Sequence, residues 1–150
     1  MRSARRDDRG SAVVEFVSLG TLMLIPLVYL ILTLARLQAA SFAADGAARE
    51  AARAFTAAPD EATGRARALA AVRFGLRDQG FDQDPELALQ VTCSAAPCLT
   101  PGATVAVRVS VEVVLPGIPG FVDRFASTHV TVRSEQAAGV DAFRPAPVTS

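Results

Sequence analysis

From Phe16 to Ala35 the chain reads FVSLGTLMLIPLVYLILTLA, twenty residues without a charge. Wound as an α-helix, a stretch of that length rises roughly 30 Å, which matches the hydrocarbon core of a bilayer. It is predicted to be a single membrane-spanning helix. Arg2, Arg5, Arg6 and Arg9 precede it. Because Asp7 and Asp8 count for little in setting orientation, the basic leader is expected to stay in the cytoplasm and the rest of the chain to lie outside the inner (cytoplasmic) membrane.

The chain has 150 residues, about one domain's worth, and a formal net charge of zero. No basic patch with interleaved aromatics occurs, so a nucleic-acid partner is not expected. All 15 basic residues are Arg, and Asn is absent, which rules out N-linked glycosylation.

An extracytoplasmic location bears on the cysteines, Cys93 and Cys98 in CSAAPC. Two are too few for a closed zinc site and their spacing is not that of a redox C-x-x-C pair. An oxidising compartment permits a disulfide staple. Two unpaired loop thiols are the alternative.

Beyond Arg36 the helical signal continues, since RLQAASFAADGAAREAARAF holds no Pro and many Ala. One helix is predicted from about Ser11 to about Phe55. Ala39, Ala43, Ala47 and Ala51 form one row at spacing four, and Ala40, Ala44, Ala48 and Ala52 form the next. Such ridges let another helix approach closely, although Ala is abundant throughout the chain. Asp45, Arg49 and Arg53 make a charged stripe at the same spacing. Pro26, midway along the span, removes a backbone donor and is the expected place for a bend; a Pro tolerated in a straight span is the other reading.

Pro59 ends the stalk, and Asp60 is positioned to cap a second helix reaching about Asp78, with Thr63 in its first turn. Its apolar face is predicted from Ala62, Ala66, Leu69, Val72 and Leu76. Period-two alternation then marks strands. Leu87, Leu89, Val91 and Cys93 should share one face of the first, and Val105, Val107, Val109, Val111, Val113 and Leu115 one face of the second. In the third, within FASTHVTVRSE, Ala126, Thr128, Val130 and Val132 should face inward, with His129 and Arg133 toward solvent. Short connections imply an antiparallel meander.

The fold class is therefore α+β, with a long transmembrane and stalk helix followed by one helix packed on a three-stranded antiparallel sheet. The expected organisation is a leader over 1–10, the span and stalk over 11–57, an extracytoplasmic domain over 58–138 and a flexible tail over 139–150.

Chemistry is sparse. His129 is the only histidine, so neither a Cys/His nucleophilic pair nor a multi-His metal site can be assembled. GIPG lacks the spacing and Lys of a phosphate loop. Asp82, Asp84 and Glu86 read as a solvated turn, without calcium-loop spacing. No catalytic residue, metal, cofactor or small-molecule substrate is expected.

Glu15 sits at the head of the apolar run. As an isolated charge it can rest at the cytoplasmic interface, where it is much cheaper than at the bilayer centre. Its setting, Gly10-Ser11-Ala12-Val13-Val14-Glu15-Phe16, resembles the class III signal of prepilins and pseudopilins, in which a membrane aspartyl prepilin peptidase cuts after the Gly. The longer stretch RGSAVVEFVSLGTLMLIPLVYLILTLARLQAASFAADGAAREAAR is similar to the TadE-like family of tight-adherence (Flp) pilus systems. The Flp pilin signal has Tyr after the Glu, where this chain has Phe16.

The resemblance implies a minor pseudopilin supporting assembly, initiation or tip structure of such a pilus. It implies cleavage between Gly10 and Ser11 and subunit assembly through Glu15 and Phe16. The implied partners are the prepilin peptidase, other pilin or pseudopilin subunits and the tight-adherence assembly platform, with incorporation into a surface pilus. The alternative is a single-pass, membrane-anchored extracytoplasmic binding domain with no pilus role.

Overall fold

The structure is a computed structural model that describes residues 8–115 and 129–143. It contains α1 (Asp8–Thr56), α2 (Glu61–Asp78), α3 (Pro85–Ala88), β1 (Leu89–Cys93), β2 (Thr104–Val114) and β3 (His129–Gly139). The three strands form one antiparallel sheet in the order β1-β2-β3. The α+β class and the meander expected from the sequence are therefore present. Ala126 and Thr128, expected on the third strand, lie outside the described residues.

The chain divides into two compact units between Ala35 and Arg36, inside α1. In the first unit α1 is long and apolar enough to cross a membrane. Its large apolar side chains, among them Phe16, Leu22, Leu24, Ile25 and Leu30, are all at the surface. A helix that is apolar all round and buries none of it in its own protein is matched to lipid. The helix runs through Pro26 without interruption.

The second unit begins with the stalk, which is part of the domain rather than a spacer beneath it. Ala40, Ala43, Ala44, Ala47, Ala48, Ala51 and Ala52 are all buried, together with Phe55, in the same core as the sheet valines. Ala39 packs at the edge of that core. The close approach that the alanine ridges permit is thus used within the protomer.

The partner helix is α2. Asp60 caps it as expected, accepting from the Thr63 backbone N–H at 2.8 Å and from the Thr63 hydroxyl at 2.8 Å. Its buried face differs from the expected one: Ala62 and Ala66 are exposed, and the buried row is Gly64, Ala68, Val72 and Leu76. The reason is steric. A Cβ on Gly64 would lie 3.1 Å from the Phe55 carbonyl oxygen, and one on Gly75 would lie 3.1 Å from Ala47 Cβ. As Gly64 meets Phe55 and Gly75 meets Ala47, the two helices run antiparallel, and their smallest residues set the contact face.

At its C-terminus α2 stops in a Schellman arrangement. Gly80, at φ +74°, is a left-handed residue that a side chain would strain. Its N–H donates to Arg77 O and that of Phe81 to Leu76 O, each at 2.9 Å. Phe81 and Leu76, both buried, supply the apolar contact that accompanies this motif. The Arg36 guanidinium lies over the Phe81 ring at 4.7 Å and donates to Gly80 O at 3.3 Å, tying the start of the stalk to this turn.

The first strand is shorter than its alternation suggests, because Pro85–Ala88 is helical and Leu87, expected inside, is 85% exposed. Asp84 caps that turn, accepting from Glu86 N, and Pro85 occupies a first-turn position where its missing N–H costs nothing. Strand β2 follows the expected pattern closely, with Val105, Val107, Val109, Val111 and Val113 essentially inaccessible. Leu115 falls just beyond it and is half-buried. Strand β3 continues past Glu135 to Gly139, and Val140 extends the ladder by bonding Ala103 O and Gly102 N. His129 and Arg133 are exposed and Val132 is half-buried, as alternation requires, but Val130, expected inward beside Val132, is exposed near the start of the strand, beyond the stretch of β2 that β1 covers. Arg108 and Glu135, directly opposite each other on the solvent face, form a cross-strand ion pair.

Candidate functional site

The N-terminal motif lies at the start of the apolar helix. Gly10 and Ser11 fall in the first turns of α1, and the Glu15 and Phe16 side chains are exposed. Ser11 and Glu15 are four apart, hence on one face of the helix. Continuing at spacings of three and four, that face carries Ser18, Leu22, Pro26, Tyr29 and Thr33. The Thr33 hydroxyl is buried without a hydrogen-bond partner. Polar groups thus recur on this face toward the two ends of the apolar run, with Leu22 and Pro26 between them. Of these groups only Glu15 stands out in the sequence, because Ser, Tyr and Thr interrupt hydropathy too weakly to be noticed without the helical spacing.

In the second unit the polar groups have structural partners. Asp45 faces the sheet, accepting from Gln136 Nε2 at 2.6 Å and Ser134 Oγ at 3.2 Å, while Arg49 donates to its other oxygen at 2.8 Å. The expected Asp45–Arg49 pair therefore forms, and the same carboxylate fastens α1 to β3. The Asp82, Asp84 and Glu86 cluster is likewise occupied: Asp82 faces Arg77 at 3.5 Å, Asp84 caps α3, and Glu86 pairs with Arg65 at 2.6 Å.

Cys93 and Cys98 are joined in a disulfide across the β1–β2 connection. Hydrogen bonds from the Thr63 backbone and side chain hold the Asp60 carboxyl below the usual carboxylate value. Among the described residues, no group of three or more His, Cys, Asp or Glu is placed to hold a metal.

A groove of about 300 Å³ lies on the solvent face of the sheet, between α3 and the strands. It exists because β1 pairs with β2 only from Val105 to Val109, leaving the Ser110–Val114 stretch without a strand on that side. The Gln83 side chain covers the gap, its Oε1 accepting from Glu112 N at 3.0 Å. Leu87 and Asp84 form one wall, and Ser110, Glu112, Thr131 and Arg133 line the rest. The sequence could not suggest this groove, because alternation placed Leu87 on the opposite face.

The motif, the exposed apolar helix and the alanine-rich continuation occupy one contiguous stretch, and that stretch decides the comparison with known proteins. Residues 10–53 match the TadE-like protein family. The match covers the resemblance drawn from the sequence and ends within the buried part of α1. No curated protein and no solved structure matches the chain.

Proposed function

We propose that the protein is a minor pseudopilin of TadE type that supports assembly, initiation or tip structure of a tight-adherence pilus or a related secretion apparatus. The observation that carries this reading is the family match beginning at Gly10, where the G-S-A-V-V-E-F motif heads an apolar helix whose large apolar side chains are exposed. A prepilin peptidase cuts between Gly10 and Ser11, leaving a new α-amine on Ser11. The Glu15 carboxylate of one subunit then pairs with the Ser11 amine of its neighbour as the helices stack. An ion pair in that setting contributes register more than stability.

The remaining polar face suits the same role. Ser18 and Tyr29 supply hydroxyls for interhelical hydrogen bonds where lipid offers none, and polar side chains of this type join helices in membranes. Pro26, which removes one donor from the ladder, is the point at which the helix bends as it leaves the bilayer to pack in a fibre. The domain beyond Arg36 faces the extracytoplasmic side, where the Cys93–Cys98 disulfide is maintained.

Glu15→Ala is the test. The variant is expected to insert into the membrane at the wild-type level and to be missing from sheared surface filaments of the native host. Normal incorporation would overturn the proposal and favour an anchored domain in which Glu15 is an interfacial charge.

A further inference from the structure

Two exposed apolar side chains on the second unit stand in opposite chemical surroundings. Phe74 projects from α2 with 77% of its surface accessible, and Leu87 projects from α3 with 85% accessible. Taking an aromatic side chain out of water is among the larger single contributions available to an interface, and aromatic and Arg residues dominate interface energetics. Phe74 has Arg67, Arg73 and Arg77, the last facing Asp82, and one carboxylate, Asp78, around it on the exposed side of α2, an excess of positive charge. Leu87 forms the wall of the groove, beside the carboxylates of Asp84 and Glu112.

The two features also lie on opposite faces of the domain. The helix layer covers the inner face of the sheet, where the β2 valines meet the α1 alanines and α2. Phe74 points away from that layer. The groove is floored by Ser110, Glu112, Thr131 and Arg133 on the outer face of the sheet. They are at neighbouring levels along the domain. Gly75, next to Phe74, meets Ala47, and Ser134, next to Arg133, bonds Asp45.

A protruding group on one face and a receptive groove on the other define a heterologous contact, which repeats from copy to copy rather than closing as a symmetric pair. We infer that Phe74 of one copy enters the groove between α3 and the outer sheet face of a second copy of this chain, forming an open row of domains. The arginines around Phe74 meet Asp84 and Glu112 at the rim. That arrangement fixes the direction of the row, because charge complementarity selects partner and orientation more than it adds affinity. Arg133, the one cation of the groove, opposes this pairing and lies on its β3 side. The row needs neither cleavage at Gly10 nor the Glu15 pairing, so it is a contact additional to the membrane-helix role.

The experiment uses two differently tagged full-length chains expressed together in membranes, one carrying Ala70→Cys, one turn before Phe74 on the exposed side of α2, and the other Ser110→Cys or Thr131→Cys in the groove, each keeping Phe74, Leu87 and its own Cys93–Cys98 bridge. The expected result is a disulfide-linked dimer containing both tags. Adding Arg73→Glu to the first chain should abolish that dimer, and Glu112→Arg in the second should restore it. Dimers confined to Ala70→Cys with itself would show a symmetric contact and overturn the inference. Absence of any cross-link with both groove positions would overturn it as well. Because the readout is position-specific and independent of filaments, its failure is distinguishable from failure of the pilus reading.

Discussion

Gly46 and Gly75 both lie inside helices, but a methyl group added to each meets different surroundings. Nothing lies within 4 Å of a Cβ at Gly46, whereas a Cβ at Gly75 would sit 3.1 Å from Ala47 Cβ and 3.4 Å from Ala47 Cα. Glycine in a helix interior costs about 1 kcal/mol relative to alanine, so Gly→Ala brings the same local gain at both positions. The contact at Gly75 is already filled, and Ala47 cannot rotate aside because its Cβ is fixed to the α1 backbone. Overpacking a filled contact costs about 1–3 kcal/mol. Gly46→Ala should therefore be stabilised by about 1 kcal/mol, and Gly75→Ala should fall below it by about 1–3 kcal/mol. For a protein of this size 1 kcal/mol moves Tm by roughly 2–4 °C, so the two variants should separate by at least about 2 °C. The assay is thermal unfolding of the full-length protein in one detergent, followed by far-UV circular dichroism. Equal upward shifts for the two variants would refute the close α1–α2 contact.

Other expectations follow from single groups. Asp60 has a folded pKa below its ordinary value of 3.8, so the stability it contributes is complete above that value and lost as pH falls through the lower folded pKa. Asp60→Asn keeps the cap without the titration and should lose less Tm than wild type on acidification below pH 3.8, whereas Asp60→Ala should lower Tm at neutral pH; identical acid profiles for wild type and Asp60→Asn would contradict this. Reducing the Cys93–Cys98 bridge, or replacing both cysteines by Ser, releases a short loop and should cost about 2 kcal/mol on the chain-entropy model. A scan with and without reductant reads this directly, and an unchanged Tm would refute it. Asp45→Ala removes the acceptor shared by Gln136 and Ser134. It should speed amide exchange along β3 while leaving β1 unchanged, and uniform exchange across the sheet would count against Asp45 as the tie.

What was legible in the sequence was whatever a short window contains. The cap at Asp60 needs only Thr63 three residues on, and the β2 valines alternate over their full length, so both emerge from local spacing. The same reliance on periodicity misplaced Leu87. Leu87, Leu89, Val91 and Cys93 keep period two, but the preceding Asp84-Pro85-Glu86 is a helix start whose capping outweighs the alternation. The buried face of α2 was hidden for a different reason. Apolar periodicity weights Leu and Val, whereas the close contact with α1 is made by Gly64 and Gly75, which carry no apolar side chain to register. The alanine rows showed that some helix comes close without showing whose, because identity of the neighbour depends on a chain reversal at Pro59. The Gly10–Phe16 motif is contiguous and was read directly. The groove and Phe74 come together only through tertiary placement, so neither had a sequence signal.

The account turns on whether the chain is processed as a pseudopilin. The most direct measurement is the N-terminal sequence of the mature protein, purified both from membranes and from sheared filaments of its native host. A start at Ser11 is the predicted result, placing a free amine four residues before Glu15. An N-terminus at Met1 or Arg2 in both fractions would contradict it and leave α1 as a simple anchor.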